Sequence, residues 1–210
     1  MSGIEMQDQQ PEDVHGAIIL AAGASTRMGR VKQTLPWKES TLLQHAIDQV
    51  LASSIDEVVV VLGSNREHVE ARTDLSGVHV VFNPKWEEGM ATSIVSGLKA
   101  LLDLRSGLRS VLILLSDQPL IDVKHYNKLI YSYISSGHKI ISSSYSEQLG
   151  VPVVFDRRFF RELLELKGDR GARALLNTYP DDIIAIDAGD KGVDLDTEDK
   201  YRHYHDRFGQ

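Results

Sequence analysis

The stretch that decides the fold is "GAIILAAGASTRMG", residues 16–29, in which an apolar run leads directly into a loop of small residues. Residues 17–20 are continuously apolar, a pattern typical of a strand buried on both faces of a parallel sheet. Gly23 ends this run and lets a ligand approach the backbone, where turn amides bind anions. Because Arg27 and Lys32 follow with positive charge suited to phosphate oxygens, the stretch predicts a phosphate-binding loop.

The spacing of this loop excludes the two best-known phosphate-binding motifs. A P-loop has four residues between its glycines, then Lys and Ser or Thr at once. Here Gly23 and Gly29 enclose five residues, and Gln33 follows Lys32. The dinucleotide pattern G-x-G-x-x-G is also absent. The alternative is a tight strand-to-helix turn with a solvated basic pair, but a place after the first buried strand of an α/β sheet favours phosphate binding.

The rest of the chain predicts an α/β fold of the Rossmann-like, doubly wound type. In the first half the predicted strands are 17–20, 57–62, 78–82 and 111–115, and the predicted helices are 42–51 and 94–102. Strands that alternate with helices favour right-handed crossovers and a mostly parallel sheet. In the second half the predicted strands are 139–144, 152–155 and 183–186, and the predicted helices are 126–134, 159–166 and 172–176. We expect a mixed sheet, because the last two strands need not run parallel to the first four.

Composition limits the class of protein. The 210 residues suit one domain, which we place at 16–210, with the polar and acidic residues 1–15 as a disordered tail. The absence of Cys excludes disulfides and thiolate metal sites and fits a reducing compartment. A net charge of −7 argues against nucleic acid as a partner, and no apolar run approaches the roughly 20 residues that span a bilayer. We therefore expect a cytoplasmic protein with small-molecule substrates.

Carboxylates occur where the predicted phosphate site needs a cation. Asp117 ends the most apolar strand, in "VLILLSDQPLI", residues 111–121, at the carboxyl edge of the sheet. Mg²⁺ is commonly held by one or two carboxylates plus substrate phosphates. The alternative for Asp117 is a helix N-cap or turn residue, since Pro119 follows. Asp194 and Asp196 are two residues apart and share one face of an extended segment, with a solvated acidic tail as the alternative.

The segment "LAAGASTRMGRVK", residues 20–32, resembles the L-A-A-G-x-x-x-R-M-G-x-x-K signature of nucleotidyltransferases, which join a nucleoside triphosphate to a phosphorylated acceptor. Within that superfamily of NTP transferases, which includes the MobA-like enzymes, the chain is most similar to the molybdenum cofactor cytidylyltransferases. The resemblance implies a three-layer fold like that of nucleotide-diphospho-sugar transferases. It also implies nucleotide binding by Leu20, Ala21, Ala22, Gly23, Arg27, Gly29 and Lys32. Guanylyl relatives typically have Gly where Ala22 stands, so the resemblance implies CTP rather than GTP.

Two acidic segments extend the resemblance to a metal site. The sequence "SDQP", residues 116–119, matches the family segment that holds the metal aspartate, which implies that Asp117 is a metal ligand. The sequence "DLDTED", residues 194–199, resembles the family's D-x-D-T-P-E-D segment, with Glu198 where that segment has Pro. The resemblance implies Asp196 as the second ligand, with Asp194 in support.

Two further segments match those that bind the base and the acceptor. In "NPKWEEGMATS", residues 83–93, the resemblance implies base-side contacts by Gly89 and Ser93, while local chemistry predicts that Thr92 or Ser93 caps a helix from residue 94. In the second half, the patterns G-x-P-x-x-F and G-D-x-G-A-R imply contacts with a pterin acceptor by Gly150, Pro152, Asp169 and Arg173. The alternative for Asp169 is a tight turn held by an Asp–Arg pair.

The resemblance implies one reaction and its participants. CMP would be transferred from CTP to the terminal phosphate of molybdenum-bound molybdopterin, with release of pyrophosphate and with Mg²⁺ as cofactor. Arg27, Lys32 and Asp117 would be the catalytic residues, and a molybdenum hydroxylase would receive the product. Alternatives are a guanylyltransferase or an NTP transferase acting on a sugar or polyol phosphate. An alternative from a different class is a non-catalytic nucleotide-binding cofactor chaperone.

Overall fold

A computed structural model describes residues 13–137, 139–169 and 171–210. Most of the predicted tail, residues 1–12, lies outside the described residues. The domain is predicted to start at Gly16, and the first strand begins two residues earlier, at Val14. The backbone N–H of His15 donates to Oδ2 of Asp56 at 2.7 Å, which holds the start of this strand in place.

The described residues follow the predicted order of elements. The strands are β1 (Val14–Ala21), β2 (Pro36–Trp37), β3 (Ser40–Thr41), β4 (Glu57–Leu62), β5 (His79–Phe82), β6 (Leu108–Leu115), β7 (Ile140–Tyr145), β8 (Gln148–Asp156) and β9 (Ile183–Asp187). The helices are α1 (Leu42–Leu51), α2 (Arg66–Glu70), α3 (Met90–Leu104), α4 (Val123–Ser136), α5 (Phe160–Leu164), α6 (Arg173–Thr178) and α7 (Glu198–Phe208). Short 3₁₀ turns lie at Thr26–Met28, Lys32–Thr34, Trp86–Glu88, Arg157–Phe159, Pro180–Asp182 and Gly189–Lys191. The short β2, β3 and α2 have no predicted counterpart, because such brief elements show no sequence period. The longer α7 also has no counterpart among the predicted helices.

Seven of these strands form one mixed sheet in the described part of the chain, in the order β5-β4-β1-β6-β8-β7-β9. The strands from β5 to β6 in this order are parallel, as β1 pairs in parallel with both β4 and β6. Strand β8 is antiparallel to β6 and to β7, whereas β9 is parallel to β7. The prediction of a mixed sheet is therefore confirmed. Because the chain winds from β1 towards β5 and later returns to β6, the switch point lies between β1 and β6.

Helices cover both faces of this sheet and make the fold a three-layer α/β structure. One apolar core joins the sheet to α1, α2 and α4, through buried residues that include Ile47, Val69 and Leu129. The other core joins the opposite face to α3, α5 and α6, through Leu98, Leu163 and Leu176. The predicted Rossmann-like fold class is confirmed. None of the helices in the described residues is long and apolar enough to cross a membrane.

A third, smaller core ties the C-terminal segment to the first loop. Met28, Trp37, Leu195 and Tyr201 pack together in it. The Tyr201 hydroxyl donates to the carbonyl oxygen of Pro36 at 2.8 Å. Residues far apart in sequence are thereby held next to the loop that follows β1.

Helix α3 begins four residues earlier than predicted. Its N-cap is Gly89, with a φ of 110°, so the prediction that Thr92 or Ser93 caps a helix from residue 94 is wrong. The amide of Asn83 donates to the hydroxyls of Thr92 and Ser93, at 2.8 and 3.0 Å. The backbone N–H of Ala91 donates to a carbonyl oxygen outside the helix, that of Gly168, at 3.1 Å. A contact with a distant segment thus satisfies the helix start.

Candidate active site

A cavity of about 550 Å³ opens at the carboxyl ends of β1 and β6, at the switch point of the sheet. The predicted nucleotide-binding residues that line it are Leu20, Ala21, Ala22, Gly23, Arg27, Lys32, Gly89 and Ser93. Gly29 is not among the described residues of this lining, and its contact with a nucleotide stays a prediction. Its φ of 62° ends the Thr26–Met28 turn, so Gly29 also shapes the loop.

Gln33 holds the loop after β1 in place, a role that the sequence did not predict. Its side chain is buried, and its amide nitrogen donates to the carbonyl oxygens of Ala21 and Gly23 at 2.8 and 3.0 Å. The Ser25 hydroxyl donates to the Gln33 oxygen at 3.4 Å and accepts from the Lys32 backbone N–H at 3.2 Å. The loop is therefore fixed before any ligand binds. The only sequence signal was a polar residue directly after Lys32.

Lys32 and Asp117 form a close ion pair in the cavity, between Nζ and Oδ2. Both side chains are largely buried. The other carboxylate oxygen of Asp117, Oδ1, is buried and has no hydrogen-bond partner among the described residues. An unsatisfied buried carboxylate oxygen suits a metal ligand, so Asp117 fits the predicted role. Of the two alternatives, the N-cap is wrong, because Asp122 caps α4 by accepting from the backbone N–H of His125. Asp117 does lie in a turn, directly after β6.

Asp194 and Asp196 also line the cavity, so the alternative of a solvated acidic tail is wrong. The backbone N–H of Leu195 donates to the carbonyl oxygen of Asp117 at 3.0 Å and fixes their segment beside β6. Asp194 accepts from the Gln118 amide at 2.9 Å. Burial, together with the nearby charge of Asp117, raises the pKa of Asp194. A hydrogen bond from Lys200 lowers the pKa of Asp196 and outweighs its partial burial.

The three carboxylates share one cavity without forming a preassembled metal cage. Among the described residues no three His, Cys, Asp or Glu side chains are grouped closely enough to hold a metal ion. Asp196 instead pairs with Arg27 at 2.8 Å and with Lys200 at 3.1 Å. Substrate phosphates usually complete a Mg²⁺ site, so Asp117 with Asp194 or Asp196 still fits one.

Both basic residues that were predicted to bind phosphate face carboxylates. Arg27 pairs with Asp196, but its side chain is 74 % exposed. An exposed ion pair of this kind contributes about 0–1 kcal/mol, so a phosphate can take over the guanidinium at little cost. Lys32 is more enclosed, with 19 % of its side chain exposed. Two cations, Arg27 and Lys32, thus face the cavity. The carboxylates among its described lining residues are Glu87, Asp117, Asp169, Asp194 and Asp196.

The wall beside Ala22 is tightly packed. The carbonyl oxygen of Ala22 accepts from the backbone N–H of Ser64 at 3.0 Å. A methyl group added at Gly63 would lie 2.7 Å from that oxygen and from the Cβ of Trp86. Ala22 and Trp86 both line the cavity. The Ala22 side chain therefore belongs to a wall with little freedom to move.

A second cavity of about 780 Å³ adjoins the first and contains most of the predicted acceptor residues. Gly150, Asp169 and Arg173 line it. Pro152 is not among the described lining residues, and its contact with an acceptor stays a prediction. Pro152 is buried in β8, where its carbonyl oxygen accepts from the Ser143 hydroxyl at 2.7 Å. Arg173 donates to the carbonyl oxygen of Leu149 at 3.5 Å, which differs from the turn alternative of an Asp–Arg pair.

Comparisons with known proteins place this geometry in context. The chain is 34% identical over 198 residues to nicotine blue oxidoreductase of Paenarthrobacter nicotinovorans, covering 88% of this chain and 94% of the relative. It is 31% identical to purine catabolism protein PucB of Bacillus subtilis, covering 88% and 92%. It is 23% identical to molybdenum cofactor cytidylyltransferase of Escherichia coli, covering 91% and 95%.

A solved structure and a family model agree with the fold. The chain resembles Rv0371c of Mycobacterium tuberculosis, solved in complex with manganese, with a TM-score of 0.76 and 26% identity. The match covers 92% of this chain and 99% of that chain. The family model described as the MobA-like NTP transferase domain matches residues 17–183, which include β1, the loop after it and Asp117. The chain therefore belongs to the family of MobA-like NTP transferase domains.

Proposed function

We propose that this protein transfers CMP from CTP to the terminal phosphate of molybdopterin and releases pyrophosphate. The observation that carries the proposal is the Lys32–Asp117 pair, which lies at the switch point in a cavity that adjoins a second, larger one. A cytidylyltransferase is among the relatives that match nearly the whole chain. A molybdenum hydroxylase would receive the product.

The first loop would hold the triphosphate. Gln33 fixes the carbonyl groups of Ala21 and Gly23, which leaves the loop amides arranged for an anion. Lys32 and Arg27 would release their carboxylate partners and bind phosphate oxygens, since charge-assisted bonds to phosphate are strong. Binding would therefore exchange one set of ion pairs for another, and the freed carboxylates would be available to a metal cation.

The carboxylates would hold the metal. Asp117, with its unsatisfied Oδ1, and Asp196 or Asp194 are the residues that would ligate Mg²⁺. When bound, Mg²⁺ would neutralise charge on the triphosphate. Asp196 is available for this role once Arg27 has moved to a phosphate oxygen.

No general base is needed for the transfer. The acceptor phosphate is already largely ionised near pH 7, since its second pKa is about 6. One of its oxygens forms a bond to the α-phosphorus of CTP while the bond to the pyrophosphate oxygen breaks. Catalysis then consists of holding the two substrates in line and stabilising the negative charge, which is the role of Lys32 and Arg27.

The choice of CTP rests on Ala22. Its methyl group narrows the cavity, and contacts with Ser64, Gly63 and Trp86 keep this part of the cavity wall from moving. A smaller pyrimidine base fits such a wall better than guanine. Guanylyl transfer, or transfer to a sugar or polyol phosphate, uses the same residues and is an outcome of the test.

A second candidate is an oxidoreductase. It is favoured by the 34% identity to nicotine blue oxidoreductase, which exceeds the 23% identity to the cytidylyltransferase. The loop after β1 lacks the G-x-G-x-x-G pattern of dinucleotide-binding folds. The paired charges of Lys32 and Arg27 suit a triphosphate better than a hydride carrier.

One experiment separates these candidates. Purified protein with Mg²⁺ is assayed for pyrophosphate release with CTP, GTP, ATP or UTP, each with and without molybdopterin. We expect release with CTP that depends on molybdopterin. Release with GTP alone would make the protein a guanylyltransferase. No release with any nucleotide, together with reduction of nicotine blue by NADH or NADPH, would replace the proposal with the oxidoreductase.

A further inference from the structure

Met90 lies between the two cavities. The first, which contains Lys32 and Asp117, is called the nucleotide cavity after its proposed ligand, and the second, which contains Gly150 and Arg173, is called the acceptor cavity. Met90 is the first residue of α3, it lines both cavities, and it is 41 % exposed. It belongs to none of the three apolar cores that the described residues form. Core packing does not explain a large apolar side chain that is exposed between two cavities.

The Met90 side chain packs against the acceptor turn. A methyl group added at Gly171 would lie only 2.9 Å from the sulfur of Met90, so the thioether rests on the backbone there. Gly171 lines the acceptor cavity and comes just before α6. The side chain of Met90 therefore connects a helix of the nucleotide site to a turn of the acceptor site.

Beside this contact, the start of α3 and the segment that contains Gly168 also contact each other through their backbones. The Ala91 N–H donates to the carbonyl oxygen of Gly168 at 3.1 Å. A methyl group at Gly89 would lie 2.5 Å from the Gly168 carbonyl carbon and from Oδ1 of Asp169. Asp169, like Met90, lines both cavities. The distance between the two substrate sites is consequently set where these segments meet.

We propose that Met90 is a positioning residue: through its contact with the turn at Gly171 it sets how the acceptor cavity lies relative to the nucleotide cavity, and so how the acceptor phosphate meets the α-phosphate of the nucleotide. The proposal rests on the proposed nucleotidyl transfer. The unbranched thioether adapts its shape to irregular surfaces, which suits a wall that must fit two different ligands. Met90 affects the relative placement of the two substrates, whereas the affinity for the nucleotide is determined by the loop after β1.

The test compares Met90→Ala with Met90→Leu and with a matched control, Leu104→Ala. Leu104 lies at the other end of α3, is 39 % exposed, and is absent from the described lining of either cavity. For each protein kcat and KM for CMP transfer, the Kd of CTP alone and the melting temperature are measured. We expect Met90→Ala to lower kcat about tenfold, since small misplacements of reacting groups are costly.

The other readouts distinguish positioning from a structural effect. We expect the Kd of CTP for Met90→Ala to stay within about twofold of wild type, while Met90→Leu recovers most of kcat, because its volume is similar. Leu104→Ala should leave all parameters unchanged. Equal kcat values for Met90→Ala and Leu104→Ala would overturn the assignment, as would a loss of kcat that only follows lost CTP binding or a lower melting temperature.

A double-mutant cycle tests the contact itself. Gly171→Ala should lower kcat in the wild-type background by displacing the thioether, and should have little further effect in Met90→Ala, where the space is free. Equal losses in both backgrounds would contradict the proposal. A wild-type protein that transfers no CMP would overturn the proposed function and this assignment with it. An active wild type with an unaffected Met90→Ala would overturn the assignment alone.

Discussion

The two cavities of this protein are built on different principles. The cavity proposed for the nucleotide follows parallel strands β1 and β6, and its cations Lys32 and Arg27 are paired with carboxylates. The cavity proposed for the acceptor lies beside the antiparallel strand β8 and is shaped by glycines and backbone carbonyls, one of which accepts from Arg173. On this proposal, binding in the first cavity depends on charge and binding in the second depends on shape. Variants in the two regions should therefore fail in different ways.

The largest expected effect comes from Asp117→Asn. The substitution removes the carboxylate charge in the nucleotide cavity and should reduce CMP transfer about a thousandfold, the upper range for losing one electrostatic contact in an active site. Pyrophosphate release measures this, with the melting temperature as a check on folding. The control is Asp48→Asn, at an exposed carboxylate on α1. Turnover of Asp117→Asn near that of the control would remove Asp117 from the catalytic site.

A smaller loss is expected from Lys32→Ala, and it should appear as binding. Without Nζ the triphosphate loses its most enclosed cation, so the Kd of CTP should rise about 100-fold, or about 2.7 kcal/mol. Titration calorimetry measures this, with the exposed Lys124→Ala as control. The acceptor side should keep its affinity for molybdopterin. Equal weakening of both ligands would mean that the two cavities do not divide charge and shape as described.

The nucleotide half was more predictable from the sequence than the acceptor half. The run at 57–62 matches β4 residue for residue, because the five residues after Glu57 are all apolar, as a strand buried on both faces requires. Asp117 could be predicted because it comes at the end of the most apolar strand. Gln33 was missed because its partners are backbone carbonyls, which leave no trace in sequence. The start of α3 was missed because it depends on Gly168, far along the chain.

The acceptor residues show the same limit. Pro152 matches a motif, yet its place inside β8 follows from how the sheet is ordered, which no local pattern reveals. Gly150 and Arg173 reach the cavity because β8 runs antiparallel beside β6 and brings α6 to that edge. Met90 was known only as part of a motif. Its position between two cavities depends on the contact with Gly171, which is a property of the folded chain.

A change of about tenfold is expected in base preference on Ala22→Gly. One methylene group more or less in a hydrophobic pocket changes the discrimination between two substrates by about 10–200-fold. For CTP against GTP we expect a change at the lower end of this range. The ratio of kcat/KM for CTP and GTP measures it. Ala24→Gly, in the same loop, is the control. An unchanged ratio would show that Ala22 does not select the base.

The last expected effect concerns stability rather than transfer, and it lies in the acceptor half. Burial, with the charge of Lys191 nearby, lowers the pKa of His125 to about 4. An unfolded His has a pKa of about 6.5, so between these values the unfolded chain binds more protons and stability falls as pH falls. When the pH falls from 7.5 to 5, the titration of this group should lower the free energy of unfolding by about 2 kcal/mol.

Urea unfolding at both pH values tests this contribution. His125→Gln should show a smaller loss between pH 7.5 and pH 5 than wild type, because its amide does not titrate. His203→Gln, exposed on α7, should keep the full loss. The same pH dependence in His125→Gln as in wild type would contradict the buried, neutral state of this imidazole.

Label transfer tests the central claim most directly. Wild-type protein is incubated with Mg²⁺, molybdopterin and CTP that carries ³²P at either the α- or the γ-phosphate, and the products are separated. The account predicts that the α-label moves to the pterin product and the γ-label leaves as pyrophosphate, and that Asp117→Asn does neither. Label that stays in CTP, or a γ-label that reaches the pterin, would contradict nucleotidyl transfer in this cavity.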